Sequence, residues 1–251
     1  MLKSLRRLVC LALAIGLPAS ALAAAPDAAE QAVRQKLATL LPGHMPDAVK
    51  ATPVAGLYQV RYGMQVFYVT ADGRYLLKGD LVDLNTKTDL TRVAQTKARK
   101  EVLGSLPADT LLTYRPDGKV KHVIYVFSDI DCPYCQRLHA DLPTLNGYGV
   151  EVRYLFFPRS GLGTPSALKA ESVWCAKNRD QAYNRAMEGE QVPSATCSNP
   201  VARDYNLGLQ MGVQGTPTIV LSNGEVLPGY LPPQQLLEAI SQAQPLGSGA
   251  S

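Results

Sequence analysis

Two cysteines separated by two residues, in Cys132-Pro133-Tyr134-Cys135, carry the strongest chemical signal in the chain. They follow Val123-Ile124-Tyr125-Val126-Phe127, a continuous apolar run of the kind that forms a strand buried on both faces. A helical pattern reaching about Asn146 comes after them. A cysteine at a helix start meets unpaired backbone N–H groups and the positive end of the helix dipole, and both favour its thiolate. The second sulfur sits one turn further on, within reach of a small disulfide with the first. The chemistry this predicts is thiol–disulfide exchange, with Cys132 attacking a substrate sulfur and Cys135 resolving the mixed disulfide. Pro133 suits the first helical turn, where its missing N–H is not needed.

Other uses of this spacing are weaker. A zinc site needs a second pair of ligands, and His44, His122 and His139 are scattered, so neither metal nor cofactor is expected. A purely structural bridge between residues three apart closes a short loop and gains little entropy. Asp129 and Asp131 flank the nucleophile, and a carboxylate there would raise the thiol pKa. Both are expected to be solvated residues at the helix start, with Asp131 as N-cap, leaving a thiolate less extreme than the dipole alone would give.

The chain has 251 residues, 46% apolar and 18% charged, which fits a packed protein of one or two domains. Its net charge of +4 lies partly at the N-terminus, and no dense basic block survives elsewhere, so no nucleic-acid partner is expected. Lys3, Arg6 and Arg7 precede an apolar stretch, Leu8 to Leu17, and Ala21-Leu22-Ala23 follows. That is the pattern of an export signal over residues 1–23, cleaved near Ala23 to Ala25, since the stretch is too short to span a bilayer. Cys10 would leave with it. Four cysteines remain, an even number in an exported protein, which points to two pairs. Cys175 and Cys197 lie 22 positions apart, and closing that loop contributes roughly 3 kcal/mol in the chain-entropy model. A structural disulfide is favoured over a second redox pair, which would want closer spacing and an activating neighbour.

The elements that must position this chemistry fall into two groups. Asp27 to Leu41 has helical apolar spacing; Val54 to Val69 alternates, with breaks at Gly56 and Gly63. A turn at Ala71-Asp72-Gly73-Arg74 separates it from strands at 75–77 and 80–84. Residues 24–85 therefore read as a small α+β unit. Thr86 to Leu103 is a polar helical stretch with Gly104 placed as its C-cap, and residues 86–104 read as a linker helix, or as a surface helix packed on either unit. Residues 105–246 read as α/β: the strand before the cysteines, a helix, a strand at 150–157, helical sequence over 166–188, strands at 218–221 and 225–227 around Asn223-Gly224, and a helix at 234–242. Gly215-Thr216-Pro217-Thr218 stands before one of those strands, where proline is tolerated without any special role.

Cys132-Pro133-Tyr134-Cys135 with Gln136-Arg137-Leu138-His139 resembles the DsbC/DsbG family of the thioredoxin superfamily. So do Val152 through Arg159, Val173-Trp174-Cys175-Ala176-Lys177, Gly212 through Pro217, and Leu221 through Tyr230. The motifs cover residues 123–233; the N-terminal part is similar in layout. The resemblance implies a homodimer of chains, each with a cystatin-like N-terminal dimerisation domain, a linker helix and a thioredoxin fold carrying a helical insertion near 163–208. It implies a cis Pro217 facing the cysteines, Thr216 beside it contacting substrate backbone, Pro133 and Tyr134 in the substrate-binding surface, and a structural Cys175–Cys197 disulfide. It also implies a periplasmic disulfide isomerase acting on misoxidised or unfolded exported proteins, with chaperone activity, kept reduced by a DsbD-like membrane thiol reductant. The isomerase branch often has glycine where Pro133 stands, whereas the DsbG branch has Pro-Tyr. Reduction of sulfenylated single cysteines and a mainly holdase role are therefore the alternatives.

Overall fold

The structure, a computed structural model, describes residues 28–243; the expected export signal lies outside them. Helix α1 (Ala28–Leu40) follows the apolar spacing and buries Val33 and Leu37. It lies on an antiparallel sheet of β1 (Ala48–Ala51), β2 (Leu57–Tyr62), β3 (Gln65–Thr70) and β4 (Leu76–Leu77), in that order. Strand side chains alternate between faces, and Val49, Tyr58, Val60 and Val69 form the core under α1. The break expected at Gly63 is the β2–β3 turn. The strand expected at 80–84 is only β5 (Val82–Asp83), paired with β6 (Thr88–Asp89) in a separate ribbon.

Helix α2 (Leu90–Ser105) starts later than the sequence pattern implies because Thr88 and Asp89 are taken up by that ribbon. The Asp89 side chain then caps the helix, accepting from the Arg92 N–H at 2.9 Å. Gly104 is not its C-cap: the helix runs through it and Leu106 caps the end. Nor is α2 a solvated rod. Its Thr91 hydroxyl meets the Tyr68 hydroxyl at 2.5 Å, while Ala98 and Leu103 enter the core of the following unit.

That unit comprises β7 (Leu112–Tyr114), β8 (His122–Ser128), α3 (Pro133–Ala140), α4 (Leu142–Gly147), β9 (Val150–Phe156), α5 (Pro165–Trp174), α6 (Arg179–Met187), α7 (Val201–Gln210), β10 (Thr218–Leu221), β11 (Val226–Pro228) and α8 (Pro233–Gln242). The sheet order is β11-β10-β8-β9-β7, with β8 and β9 parallel and every other pair antiparallel. One sheet face, including Ile124, Val126, Val152, Tyr154 and Phe156, packs in a core with both cysteines, Leu138 and Tyr183. The other, with Tyr125, Phe127, Leu155 and Val220, is covered in part by Ala98 and Leu103 of α2 and Leu207 of α7.

The single helix expected to reach Asn146 is two. Pro143 lacks an N–H and its ring clashes with the carbonyl four residues earlier, so α3 ends and α4 restarts with proline in its first turn. Likewise 166–188 divides at Cys175, and Asn178 opens α6 by accepting from the Gln181 N–H at 3.0 Å. Two glycines permit close approaches. A Cβ at Gly208 of α7 would lie 2.4 Å from the Phe157 ring, and one at Gly224, where φ is +93, would lie 2.0 Å from the Thr96 carbonyl oxygen. The β10–β11 turn therefore rests directly on α2, where Arg99 donates to the Gly224 carbonyl at 3.3 Å.

Candidate active site

Strand β8 delivers its chain to a tight loop, Asp129-Ile130-Asp131, which ends in Cys132. Cys132, not Asp131, is the N-cap of α3, with extended backbone (φ −94, ψ 117) and Pro133 following as the first helical residue. Its carbonyl accepts the first helical bond from the Gln136 N–H at 3.0 Å. The sulfur thus sits where unpaired N–H groups converge. Cys132 is only 1% exposed and Cys135 is fully buried; both are free thiols.

The loop before β10 faces Cys132. The Thr216–Pro217 peptide is cis, and the Thr216 carbonyl accepts from the Cys132 thiol at 3.2 Å. That contact favours the protonated form. Against it, the Thr216 hydroxyl is buried with no hydrogen-bond partner among the described residues, which leaves it able to donate to an ionised sulfur. The Cys132 pKa is lowered to about 5: the Cys135 side chain contributes most, burial opposes, and the Thr216 side chain and the backbone N–H groups of Cys135 and Tyr134 add to the lowering. Burial pushes the Cys135 thiol up, and the neighbouring Cys132 thiolate raises it further. The two sulfurs are therefore unlike: one is acidified and the other is held protonated.

Asp131 is exposed, as the sequence led us to expect, but it is not the N-cap, and Asp129 is not solvated. Asp129 is 3% exposed, and its carboxylate accepts four hydrogen bonds. Oδ1 takes the Asp131 N–H at 2.9 Å and the Ser166 hydroxyl at 2.7 Å; Oδ2 takes the Arg159 N–H and Nε, both at 2.9 Å. Burial alone would raise its pKa, but these donors outweigh it and hold the carboxyl below its ordinary range. Asp131 is exposed and pairs with Lys169 of α5. The unfavourable neighbour of the thiolate is therefore matched by donors and a cation, which removes the reason the sequence offered for a weakened thiolate.

Around the mouth, Pro133 is exposed and Tyr134 is 60% exposed. The Tyr134 ring stacks on Tyr230 at 6.4 Å; Arg137 lies over the Tyr230 ring at 5.1 Å, and the Tyr230 hydroxyl donates to Asp141 at 2.7 Å. The Gly229 N–H donates to the Pro217 carbonyl at 2.9 Å, which fastens Tyr230's loop to the Thr216–Pro217 loop. Beneath the cysteines, the buried Tyr183 hydroxyl of α6 donates to Ser128 Oγ at 3.0 Å. His139, kept neutral by burial, bridges the Tyr154 hydroxyl and Asn184. Arg159 and Tyr230 stood in the motifs that carry the family resemblance but were given no role there, and Tyr183 escaped sequence reasoning altogether, because each lies on another element that only the fold brings to the cysteines.

Cys175 and Cys197 are joined, with Cα atoms 5.6 Å apart, tying the end of α5 to the segment before α7. Among the described residues no group of His, Cys, Asp or Glu is placed to hold a metal, and no helix is long and apolar enough to cross a membrane.

A family model of a thioredoxin-like domain matches residues 108–244, and one of the disulfide bond isomerase protein N-terminal domain matches residues 23–92. The thiol:disulfide interchange protein DsbC of Salmonella typhimurium is 40% identical over 230 residues, covering 92% of this chain and 93% of the relative. Its namesake from Escherichia coli K12 is 36% identical over 223 residues, covering 89% and 92%. A crystal structure of a disulfide interchange protein from Neisseria gonorrhoeae is 37% identical, with a TM-score of 0.49, over 55% of this chain and 99% of that one. With relatives this similar along nearly its whole length, the chain belongs to the DsbC family of thiol:disulfide interchange proteins.

Proposed function

We propose that this protein is a periplasmic disulfide isomerase in which Cys132 is the nucleophile and Cys135 the resolving thiol. The observation that carries the reading is the unlike pair of sulfurs, one acidified at the start of α3 and one buried and protonated behind it. The Cys132 thiolate attacks a wrong disulfide in an exported protein; a Cys132–substrate disulfide forms and the substrate's other sulfur leaves as a thiol. That freed thiol then attacks elsewhere in the substrate until a stable pairing releases Cys132. If release stalls, Cys135 attacks Cys132 and frees the reduced substrate. A DsbD-like membrane reductant then returns the oxidised pair to thiols. Thr216, Pro217, Pro133 and Tyr134 line the approach and hold the substrate backbone, and the Cys175–Cys197 bridge has a structural role. No cofactor is needed, because the electrons stay within sulfur.

Refolding of a scrambled multi-disulfide protein tests this against reduction of a single sulfenylated cysteine, the DsbG-like alternative. We expect the reduced protein to recover native pairings in the first assay. Failure there with activity in the second would transfer the assignment to the alternative.

The N-terminal unit is the dimerisation domain in this reading. Tyr75, Leu76, Leu77 and Val82 are exposed, and Leu84 is 85% exposed, along the β4 edge and the ribbon beside it. Such a run of apolar side chains on an unpaired edge is suited to pairing across a two-fold axis, and the cleft between two chains suits a holdase for unfolded polypeptides. Sedimentation of the mature chain is expected to give a dimer that Leu76→Asp with Leu84→Asp converts to monomer; a monomeric parent protein would refute the arrangement.

A further inference from the structure

We propose that the Asp129–Arg159 pair is a charge-matching device that sets the acidity of Cys132, with Arg159 as the positioning residue. This rests on the reading of Cys132 as nucleophile. Asp129 is three residues before it, and the Asp129 carbonyl accepts the Cys132 N–H at 3.1 Å, which ties the two residues into one turn, while the donors from Asp131, Ser166 and Arg159 hold the carboxylate in place. Arg159 meets that carboxylate with both its backbone N–H and its guanidinium. The same guanidinium also donates from Nη2 to the Asp131 carbonyl at 3.3 Å, one peptide unit from Cys132. A single side chain thus cancels the buried negative charge and shapes the loop.

The other groups facing this region do not cancel Asp129. Asp131 is matched by Lys169 of α5. From α3 come Cys135 and neutral His139. From β9 and α6 come the Tyr154 and Tyr183 phenols, both held protonated by burial. From the Thr216 loop come only a carbonyl and a hydroxyl. Arg159 is therefore the cation assigned to Asp129, and its charge interacts with both active-site sulfurs. If the pair merely braced the loop, removing either member would loosen α3's start and raise the Cys132 pKa. If charge matching is the role, the two removals act in opposite directions. Arg159→Met leaves an unmatched carboxylate and raises the thiol pKa, whereas Asp129→Asn leaves an unmatched guanidinium and lowers it. A nearby unmatched charge shifts a pKa by about one unit or more, roughly a tenfold change in the ratio of thiolate to thiol at a fixed pH.

The test is the pH dependence of iodoacetamide alkylation of the full reduced chain, with the modified residue assigned by mass spectrometry and folding checked by circular dichroism. We expect the half-maximal pH to rise by about one unit in Arg159→Met and to fall in Asp129→Asn. It should return near the parent value in the double variant and stay near it in Arg159→Lys. Should Arg159→Met not fold, the fall in Asp129→Asn and the unmoved Arg159→Lys carry the test. Shifts of the same sign, or an unmoved profile in Asp129→Asn, would overturn the charge pair while leaving the nucleophile intact. Alkylation at Cys135 in place of Cys132 would instead overturn the nucleophile assignment, and the pair's role with it.

Discussion

Replacing Cys132 with Ser is expected to lower isomerase activity by roughly 10³-fold or more, because a hydroxyl at this position has no accessible anion and forms no mixed disulfide. Cys135→Ala should behave differently. It keeps the acidified nucleophile and loses only the escape route, so substrate disulfides on Cys132 accumulate and can be isolated. The acidity gives a second readout. Alkylation of the parent protein should reach half its maximal rate near pH 5, where Cys132 is placed, well below the ordinary thiol value of about 8.5. The sign in stability follows. A group whose folded pKa is depressed stabilises fully above its unfolded value, and that contribution is lost as pH falls through its folded value. The stability margin of the reduced parent over Cys132→Ser should therefore be largest above about pH 8.5 and shrink towards pH 5, measured by urea unfolding under reducing conditions. Activity retained in Cys132→Ser, or an alkylation midpoint near that of a free thiol, would remove Cys132 from the mechanism.

What the sequence exposed about this site was what is encoded at short range. The apolar run of β8, the two-residue spacer and the helix-compatible Pro133 lie within a dozen positions, and together they determine where the two sulfurs sit. The neutralisation of Asp129 was not legible, because its partners lie 30 and 37 residues away, on the β9–α5 connection and on α5. Only the parallel register of β8 and β9, which sets Ser128 opposite Phe156, brings Arg159 back to the loop. The same holds for Tyr183, whose hydroxyl reaches Ser128 only once α6 is folded over the cysteines. Strands β1 and β7 were missed for a different reason. Ala48–Ala51 and Leu112–Tyr114 are too short to show a period, and each is defined by the neighbour it pairs with, β2 and β9. Helix α2 looked polar enough to be a linker because most of the residues it buries are small or polar, Thr91, Thr96 and Ala98 beside Leu103, and no hydropathy pattern reveals their burial.

Removing the Cys175–Cys197 bridge should destabilise the protein without silencing its chemistry. The bridge closes a loop of 22 residues, and constraining such a loop in the unfolded chain contributes about 3 kcal/mol. Paired Cys175→Ala and Cys197→Ala substitutions should lower the unfolding free energy by about that amount, read from urea midpoints at constant slope. The closed loop contains α6, and α6 supplies Tyr183 to Ser128 and Asn184 to His139 beneath the active pair. Native packing keeps α6 in place even without the bridge, since Ala182, Tyr183, Ala186 and Met187 are buried in the main core. The variant should therefore alkylate at Cys132 with an unchanged pH midpoint while it remains folded, and lose activity only where it unfolds. A stability loss below about 1 kcal/mol would mean that the unfolded chain is already restricted between these positions. A shifted Cys132 midpoint in the folded variant would mean instead that the bridge governs the placement of α6, and so belongs to the support of the active site.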